Sequence, residues 1–262
     1  MTSVLETKGL TVRYGGVLAV NDVDIVVRPD SLVGLIGPNG AGKTSFIDAL
    51  TGYTPTSGTI HFLGREIQRH STHERVREGL TRTFQALELF EDLTVRANVA
   101  AARQDLRWYS FLSDLIVGAR RPRALEEVDE TLELLGLSDS AAKYPNEMSL
   151  GQRKLVAVAR AVATEPKLLL LDEPAAGLDS GESLELGKTL RAMVSPERAM
   201  LLVDHDMGLV LTVCDYIYVL DFGKVIAAGT AAEIRSDPRV ISAYLGDQRS
   251  EPSAEGANGT EG

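Results

Sequence analysis

The sequence predicts an α/β fold: a core with a mixed β-sheet, an antiparallel β subdomain and an inserted α-helical subdomain. Apolar runs at residues 32–36 and 168–171 have the length and composition of buried strands. Helix-like segments follow one another without an intervening strand pattern at residues 94–102, 125–135 and 149–163. We therefore expect a helical subdomain, about residues 86–164, inserted into the core.

The remaining strands are predicted from alternating apolar and polar residues. Such alternation is typical of antiparallel strands, and it occurs at residues 4–14 and 23–27. Ser57, Gly58 and Thr59 predict a turn between two more strands. Further strands are expected at residues 199–203, 216–220 and 224–228.

A glycine-rich loop joins the first apolar run to a helix-like run at residues 45–50. The loop has the pattern G-x-x-x-x-G-K-[ST] and consists of Gly37, Pro38, Asn39, Gly40, Ala41, Gly42, Lys43 and Thr44. In such a loop, backbone N–H groups and the helix N-terminus surround phosphate oxygens. Lys43 would reach the β- and γ-phosphates, and the Thr44 hydroxyl would bind Mg²⁺. We predict a P-loop NTPase core that binds a nucleoside triphosphate, with Ser45 as a further contact. The competing interpretation is a turn that binds nothing.

Two acids follow the leucine run. A buried strand that ends in Asp172 and Glu173 places both carboxylates at the edge of the sheet where ligands bind. Asp172 is expected to help hold Mg²⁺ beside the loop. Glu173 is expected to polarise the water that attacks the γ-phosphorus. The alternative without a functional role is a strand that ends in two solvated acids.

A second helix start offers another anion site. Ser149 can cap the helix that follows it, and the free N–H groups there can bind phosphate. A chain with one phosphate loop has no evident use for a second cradle. Two chains that face each other do, because each helix start can close over the ATP of its partner.

These residues resemble the ATP-binding subunit of an ABC transporter, with similarity from about residue 4 to residue 246. Ser149, Leu150, Gly151 and Gln152 are similar to the family's S-G-G-Q signature, with Leu150 where glycine is usual. The resemblance implies a cytosolic subunit that works with a second cassette, which could be a copy or a sister protein. It also implies transmembrane permease subunits and, indirectly, a solute-binding protein.

Other landmarks of that family occur in the family's order. The resemblance implies that Tyr14 stacks on adenine and that Gln85 senses Mg²⁺ and the transmembrane partner. Asp179 lies in a segment similar to the D-loop, and His205 resembles the switch histidine. The catalytic set implied is Lys43, Glu173 and His205, with His205 contacting the γ-phosphate.

A finer resemblance points to importer cassettes for branched-chain amino acids. It rests on an Arg-Thr-Phe-Gln segment at residues 82–85, an Ala-Ala-Gly-Leu segment at residues 175–178 and the ending Ala-Tyr-Leu-Gly at residues 243–246. Urea and short-chain amide importers use near-identical cassettes, and lipopolysaccharide-export cassettes are also close. The transported solute cannot be read from this chain, because selectivity lies in other subunits.

Composition agrees with a cytosolic enzyme. The net charge of −10, from 37 acidic and 27 basic residues, argues against non-specific nucleic-acid binding. A single cysteine, Cys214, excludes an intrachain disulfide and suits a reducing compartment. No signal-peptide pattern or run of ~20 apolar residues is visible. We expect residues 1–246 to form one cassette at the cytoplasmic face of the membrane, and residues 247–262 to be a disordered acidic tail.

One segment, residues 104–123, has two interpretations. The residues Trp108, Phe111, Leu112, Leu115 and Ile116 fall at helical spacing and would form one apolar face. That face would either pack on the helical subdomain or touch the membrane partner or lipid.

Two other functions are alternatives for the whole chain: a non-transport ABC ATPase and a nucleotide-binding regulator that no longer hydrolyses. The chain lacks the long coiled coil or second cassette typical of the former, and the presence of both Glu173 and His205 argues against the latter.

Overall fold

The computed structural model describes residues 3–83, 89–103 and 123–247. Within these ranges the strands are β1 Leu5–Tyr14, β2 Val17–Val23, β3 Val26–Val27, β4 Leu32–Ile36, β5 Ser57–Phe62, β6 Arg65–Glu66, β7 Leu80–Thr83, β8 Leu168–Asp172, β9 Ala199–Val203, β10 Tyr216–Asp221 and β11 Lys224–Gly229. The α-helices are α1 Lys43–Thr51, α2 Thr72–Arg77, α3 Val95–Ala101, α4 Arg123–Leu134, α5 Leu150–Val162, α6 Ser180–Ala192, α7 Met207–Val213, α8 Ala231–Ser236 and α9 Pro238–Asp247.

The central sheet has the strand order β11-β10-β4-β9-β8-β7. Its neighbours from β10 to β7 are parallel, while β11 pairs antiparallel with β10. The sheet is therefore mixed, as predicted. Because β4 and β8 run parallel on either side of β9, the glycine-rich loop and Asp172 leave the sheet at the same edge.

Both faces of the central sheet are covered, which explains the continuous apolar runs of its strands. Leu32 and Ile36 of β4 belong to a core shared with α3–α7. Val33 and Leu35 point the other way, into a core shared with α1 and the antiparallel sheet. All five residues of β4 are buried, and burial of each large side chain contributes about 1.5–3 kcal/mol.

The second sheet is antiparallel, in the order β2-β1-β5-β6 with β3 on β1. The predicted turn at residues 57–59 is wrong, because these residues begin β5. Gly58 has a φ of +88°, and a Cβ there would lie 2.4 Å from the carbonyl oxygen of Gly9. The glycine thus marks a close approach of two strands at an irregular register rather than a turn. The reversal lies at Leu63 and Gly64, both with positive φ.

The predicted strand at residues 23–27 is also wrong as one continuous element. The chain instead forms β2, which the alternation did not reveal, and the two-residue β3. Between them the Asp24 carboxylate accepts a 2.6 Å hydrogen bond from the backbone N–H of Gly9. The Gly9 N–H is therefore bonded to a side chain, whereas a longer strand would have paired it with a backbone carbonyl.

The helices between β7 and β8 agree with the sequence prediction. Thr94 caps α3 and Ser149 caps α5, one residue before each helix begins. Helices α3, α4 and α5 pack on one another, with no strand among the described residues between β7 and β8. Cys214 follows α7 directly and packs against the core.

Three predictions fall wholly or mostly outside the described ranges. They are the roles of Gln85, the apolar face of residues 104–123, of which only Arg123 is described, and the tail after Asp247. In the portion that is described, none of the helices combines the length and the apolar character needed to cross a bilayer.

Candidate nucleotide site

The glycine-rich loop is shaped by its neighbours. A Cβ at Gly37 would lie 2.0 Å from the carbonyl oxygen of Leu220, and one at Gly42 would lie 2.1 Å from that of Ala19. Only glycine fits at either position. Gly42 also has a φ of +104° and precedes α1 without a side-chain hydrogen bond to the helix start. The N–H groups at the start of α1 are thus left for another acceptor, which suits phosphate.

Lys43 is buried beside this loop. Its Nζ donates hydrogen bonds to the carbonyl oxygens of Gly37 at 2.7 Å and Pro38 at 3.0 Å. Burial lowers the pKa of Lys43, while the nearby carboxylates of Glu173, Asp204 and Asp172 work against that shift. The amine is therefore held between the loop and three acids, which is the position from which it can reach a phosphate.

The hydroxyl residues of the loop open the helix. Thr44 is exposed in the first turn of α1, and Ser45 beside it is half-buried. Asp48 follows Thr44 by four residues and so lies on the same face of α1. The Thr44 hydroxyl, which is the predicted Mg²⁺ ligand, therefore lies on the same face of α1 as Asp48.

Asp172 ends β8 and is buried at the same edge of the sheet. Its Oδ2 accepts a 2.7 Å hydrogen bond from Arg82, while Oδ1 accepts none from the described residues. No cluster of three or more His, Cys, Asp or Glu side chains suited to a metal occurs in the described part of the chain. One carboxylate oxygen and one hydroxyl nevertheless fit Mg²⁺, which takes few protein ligands and completes its shell with phosphates and water.

Glu173 and His205 come together from two strand ends. The backbone N–H of Glu173 donates to the carbonyl of Val203, which ties the end of β8 to the end of β9. Glu173 has a φ of +45°, unusual for a residue with a side chain. Its Oε2 lies 3.7 Å from Nδ1 of His205, whose side chain is 53% exposed. The two groups proposed to handle the attacking water thus face each other.

The sequence analysis assigned no role to Asp204. It is 1% exposed, and its Oδ1 accepts hydrogen bonds from the backbone N–H groups of His205 at 2.8 Å and Asp206 at 3.1 Å. This carboxylate therefore shapes the turn that carries His205. The signal was available, because Asp204 follows the buried strand β9 as Asp172 ends β8.

Tyr14 stands apart from the buried groups. It ends β1, is 48% exposed, and its hydroxyl lies 3.1 Å from that of Thr54, which follows α1. An open groove of about 910 Å³ also borders the loop, between Asn39 and Arg239. Lys43, Thr44 and Asp172 do not line that groove, so it is not the phosphate site.

The signature segment is built differently. Ser149 accepts a hydrogen bond from the N–H of Gln152 at 3.3 Å, and the Gln152 side chain accepts one from the N–H of Ser149 at 3.1 Å. This capping box holds the start of α5 in an exposed position. Among the described residues, no hydrogen bond or ion pair links the segment to the phosphate loop of the same chain.

Leu150 lies beside the segment that carries Asp179. Leu150 is 40% exposed, and its Cδ2 lies 3.4 Å from an ideal Cβ at Gly177. Asp179 caps α6 by accepting from the N–H groups of Gly181 at 2.8 Å and Glu182 at 2.9 Å. Leucine at the signature thus packs beside the segment that resembles the D-loop.

Comparison with known families finds two matches. A family described as "ABC transporter" matches residues 20–176, more than half of the chain, from β2 past Glu173. A family described as "Branched-chain amino acid ATP-binding cassette transporter" matches residues 224–249, from β11 through α9.

Individual proteins are similar in sequence to this chain over nearly its whole length. The high-affinity branched-chain amino acid transport ATP-binding protein BraF of Pseudomonas aeruginosa is 41% identical, covering 93% of this chain and 98% of its own length. LivG of Escherichia coli, with the same description, is 39% identical over 93% and 98%. The lipopolysaccharide export system ATP-binding protein LptB of Acidithiobacillus ferridurans is 35% identical over 95% and 99%.

Solved structures agree with the fold. The ADP conformation of MJ1267, an ATP-binding cassette of an ABC transporter, aligns with a TM-score of 0.82 at 28% identity, covering 94% of this chain and 100% of that one. A nucleotide-free ATP-binding cassette aligns with a TM-score of 0.80, also at 28% identity, covering 93% and 99%.

Proposed function

The chain belongs to the ABC transporter family of ATP-binding cassettes, nucleotide-binding ATPases that drive transport, and from this premise we propose that it powers the import of branched-chain amino acids. The observation that carries the proposal is similarity to BraF and LivG over 93% of the chain. The match of residues 224–249 to the branched-chain amino acid family supports it further. Identity to the export protein LptB is lower, at 35%.

The geometry supports a mechanism of positioning and charge stabilisation. Lys43 and the N–H groups at the start of α1 would bind the β- and γ-phosphates. Thr44 and Asp172, with Gln85, would hold Mg²⁺, which when bound neutralises phosphate charge. Glu173 would accept the proton of the attacking water. His205, 3.7 Å from Glu173, would hold that water against the γ-phosphate.

The other half of the site would come from a second cassette. Ser149, Gly151 and Gln152 start α5 on an exposed surface, and Asp179 lies on an adjoining one. Presented to the ATP of a partner, that helix start would close the site. The partner cassette is either a copy of this chain or a sister protein, and closing and opening of the pair would move the permease subunits.

The permease contact is proposed near residues 85–95. Phe90 is 50% exposed and Leu93 is 37% exposed, which leaves apolar surface for a partner. Beneath them the fully buried Asn98 donates from Nδ2 to the carbonyls of Phe90 and Leu93 and accepts from the N–H of Phe90. Residues 90–93, held by Asn98 in this way, would suit transmission of movement to membrane subunits. The cassette would sit peripherally at the cytoplasmic face, linked to a solute-binding protein only through the permease.

The test is purification of the tagged chain from its native membrane, followed by reconstitution of the co-purifying permeases in liposomes. We expect Mg²⁺-dependent ATPase activity that rises when the co-purifying binding protein is loaded with leucine, isoleucine or valine. Stimulation by urea or a short amide instead would move the assignment to that importer class. Stimulation by lipopolysaccharide would assign export, and the absence of any permease would favour a non-transport ABC ATPase.

A further inference from the structure

A buried arginine bridges two carboxylates from different parts of the chain. The Arg82 guanidinium donates to Oδ1 of Asp48 at 2.5 Å and to Oδ2 of Asp172 at 2.7 Å. The side chains of Arg82 and Asp172 are only 9% and 6% exposed, and that of Asp48 is 27% exposed. Pairs so shielded from water interact more strongly than surface pairs.

The bridge joins the two elements that carry the proposed cation ligands. Asp48 lies one turn after Thr44 in α1, and Asp172 ends β8. Arg82 lies in β7 beside β8, where it pairs with Leu170. The guanidinium therefore fixes the distance between the helix that bears Thr44 and the strand end that bears Asp172.

The charge of Arg82 acts on both of these carboxylates. Burial works against the charged guanidinium, but its hydrogen bonds and charge interactions with Asp48 and Asp172 outweigh burial and raise the pKa of Arg82. A cation beside a metal ligand lowers the affinity of that ligand for Mg²⁺, because like charges repel. A second carboxylate on the far side of the cation offsets this repulsion.

We propose that the Asp48–Arg82–Asp172 bridge sets the Mg²⁺ affinity of the nucleotide site. In this proposal, which rests on the proposed role of Asp172, Arg82 is a positioning residue. It occupies Oδ2 of Asp172, leaves Oδ1 for the cation and moderates the negative potential there. Asp48 takes up part of the arginine's charge and so keeps the carboxylate able to bind Mg²⁺.

The proposal predicts that single charge removals act in opposite directions. Asp48→Asn removes the carboxylate that offsets the guanidinium's charge, so half-saturation with divalent cation should need at least about fivefold more cation. Arg82→Gln removes the repelling charge, so half-saturation should need at least about fivefold less. The double variant should lie within about twofold of the unsubstituted chain, because equal and opposite charges are removed together.

The measurement is Mn²⁺ binding followed by electron paramagnetic resonance, on the full chain with a non-hydrolysable ATP analogue. Nucleotide affinity in EDTA should stay within about twofold in all variants, which separates cation affinity from damage to the fold. Asp129→Asn is the matched control, since it breaks the Arg96–Asp129 pair (2.6 Å) in the helical region and should leave Mn²⁺ affinity unchanged. If Arg82→Gln does not fold, Asp48→Glu decides the matter, because it keeps the charge and should restore affinity that Asp48→Asn loses.

Shifts in the same direction for Asp48→Asn and Arg82→Gln would overturn the proposal, since loss of a purely structural bridge affects both alike. Absence of any shift in Asp48→Asn, or failure of Asp48→Glu to restore affinity, would overturn it as well. Asp172→Asn separates this outcome from failure of the site itself. If Asp172→Asn binds Mn²⁺ like the unsubstituted chain, the assignment of Asp172 as a metal ligand is wrong. If it loses Mn²⁺ while the other variants do not shift as expected, only the bridge proposal fails.

Discussion

This cassette has a phosphate-loop side, formed by residues 37–44 with Asp172 and Glu173, and a signature side, formed by residues 149–152. The two sides differ in how their functional residues are held in place. On the loop side, Lys43 and Asp172 are both buried. Lys43 donates to carbonyl groups of its own loop, and Asp172 accepts from Arg82, 90 positions away in the chain. On the signature side, Ser149 is exposed, and its hydrogen bonds to described residues all lie within its own helix start. The first side is therefore organised by the fold of one chain. The second is shaped by its own capping box, and in the described part of the chain no hydrogen bond or ion pair ties it to the phosphate loop.

The largest effect is expected on the rate of ATP hydrolysis, from a substitution of Glu173 on the loop side. Glu173→Gln should keep ATP binding but lower turnover about 10²- to 10⁴-fold, because an amide cannot accept the proton of the attacking water. It should also trap a closed dimer with ATP. Single-turnover hydrolysis and size-exclusion chromatography would measure the two effects. Hydrolysis within about threefold of the unsubstituted rate, or under ~0.7 kcal/mol of barrier, would show that Glu173 does not have this role.

The next effect tests whether the signature side acts in trans. Ser149→Arg should leave ATP binding to the monomer intact and lower ATP-driven association at least about 100-fold, since it buries an unpaired charge at a contact surface. Calorimetric titration of the monomer and light scattering with ATP measure these separately. If the variant binds ATP to the monomer as weakly as Lys43→Ala does, the serine acts in cis and the two-chain mechanism is wrong.

Mixing two variant chains tests in a second way whether Ser149 acts in trans. A mixed dimer of Ser149→Arg and Lys43→Ala chains has one site with both lesions and one with neither. If the cassette pairs with itself, the mixture should regain part of the ATP-dependent association that each variant lacks alone. The control is unsubstituted protein. If that protein never associates with ATP, an obligate sister cassette becomes the better model.

Lys43→Ala tests the loop side at the binding step. Loss of a charge-assisted contact to phosphate should weaken ATP binding about 10- to 100-fold. Calorimetric titration measures the affinity, and thermal unfolding without nucleotide checks the fold, because Lys43 also bonds Gly37 and Pro38. Unchanged affinity and activity would contradict the assignment of residues 37–44 as the phosphate site.

The smallest expected effect concerns the exposed margin of the loop side. Tyr14→Ala should weaken ATP binding by about 0.5–1.5 kcal/mol, the size of an aromatic stacking contribution. Tyr14→Phe is the matched control, because it keeps the ring and removes only the hydroxyl near Thr54. Equal losses in both variants would assign the effect to that hydrogen bond and not to stacking on adenine.

Much of the loop side was predictable because its signals are local. The strand before residue 37, the glycine-rich loop and the acids after residue 171 are read from neighbouring residues, and the structure places them at one edge of the sheet. The start of α5 was equally legible, since a capping box spans only Ser149 to Gln152. Gly58 misled the prediction because a glycine needed for close strand approach looks like one needed for a turn.

The sequence by itself determined which residues form the loop, the strand ends and the helix caps, because spacing along a strand or helix dictates them. Only the tertiary structure decided which distant side chains meet. Arg82 bonds Asp48 across 34 positions and Asp172 across 90, and Glu173 meets His205 only because β8 and β9 are paired in one register. Such contacts depend on strand order and register, which no local pattern encodes.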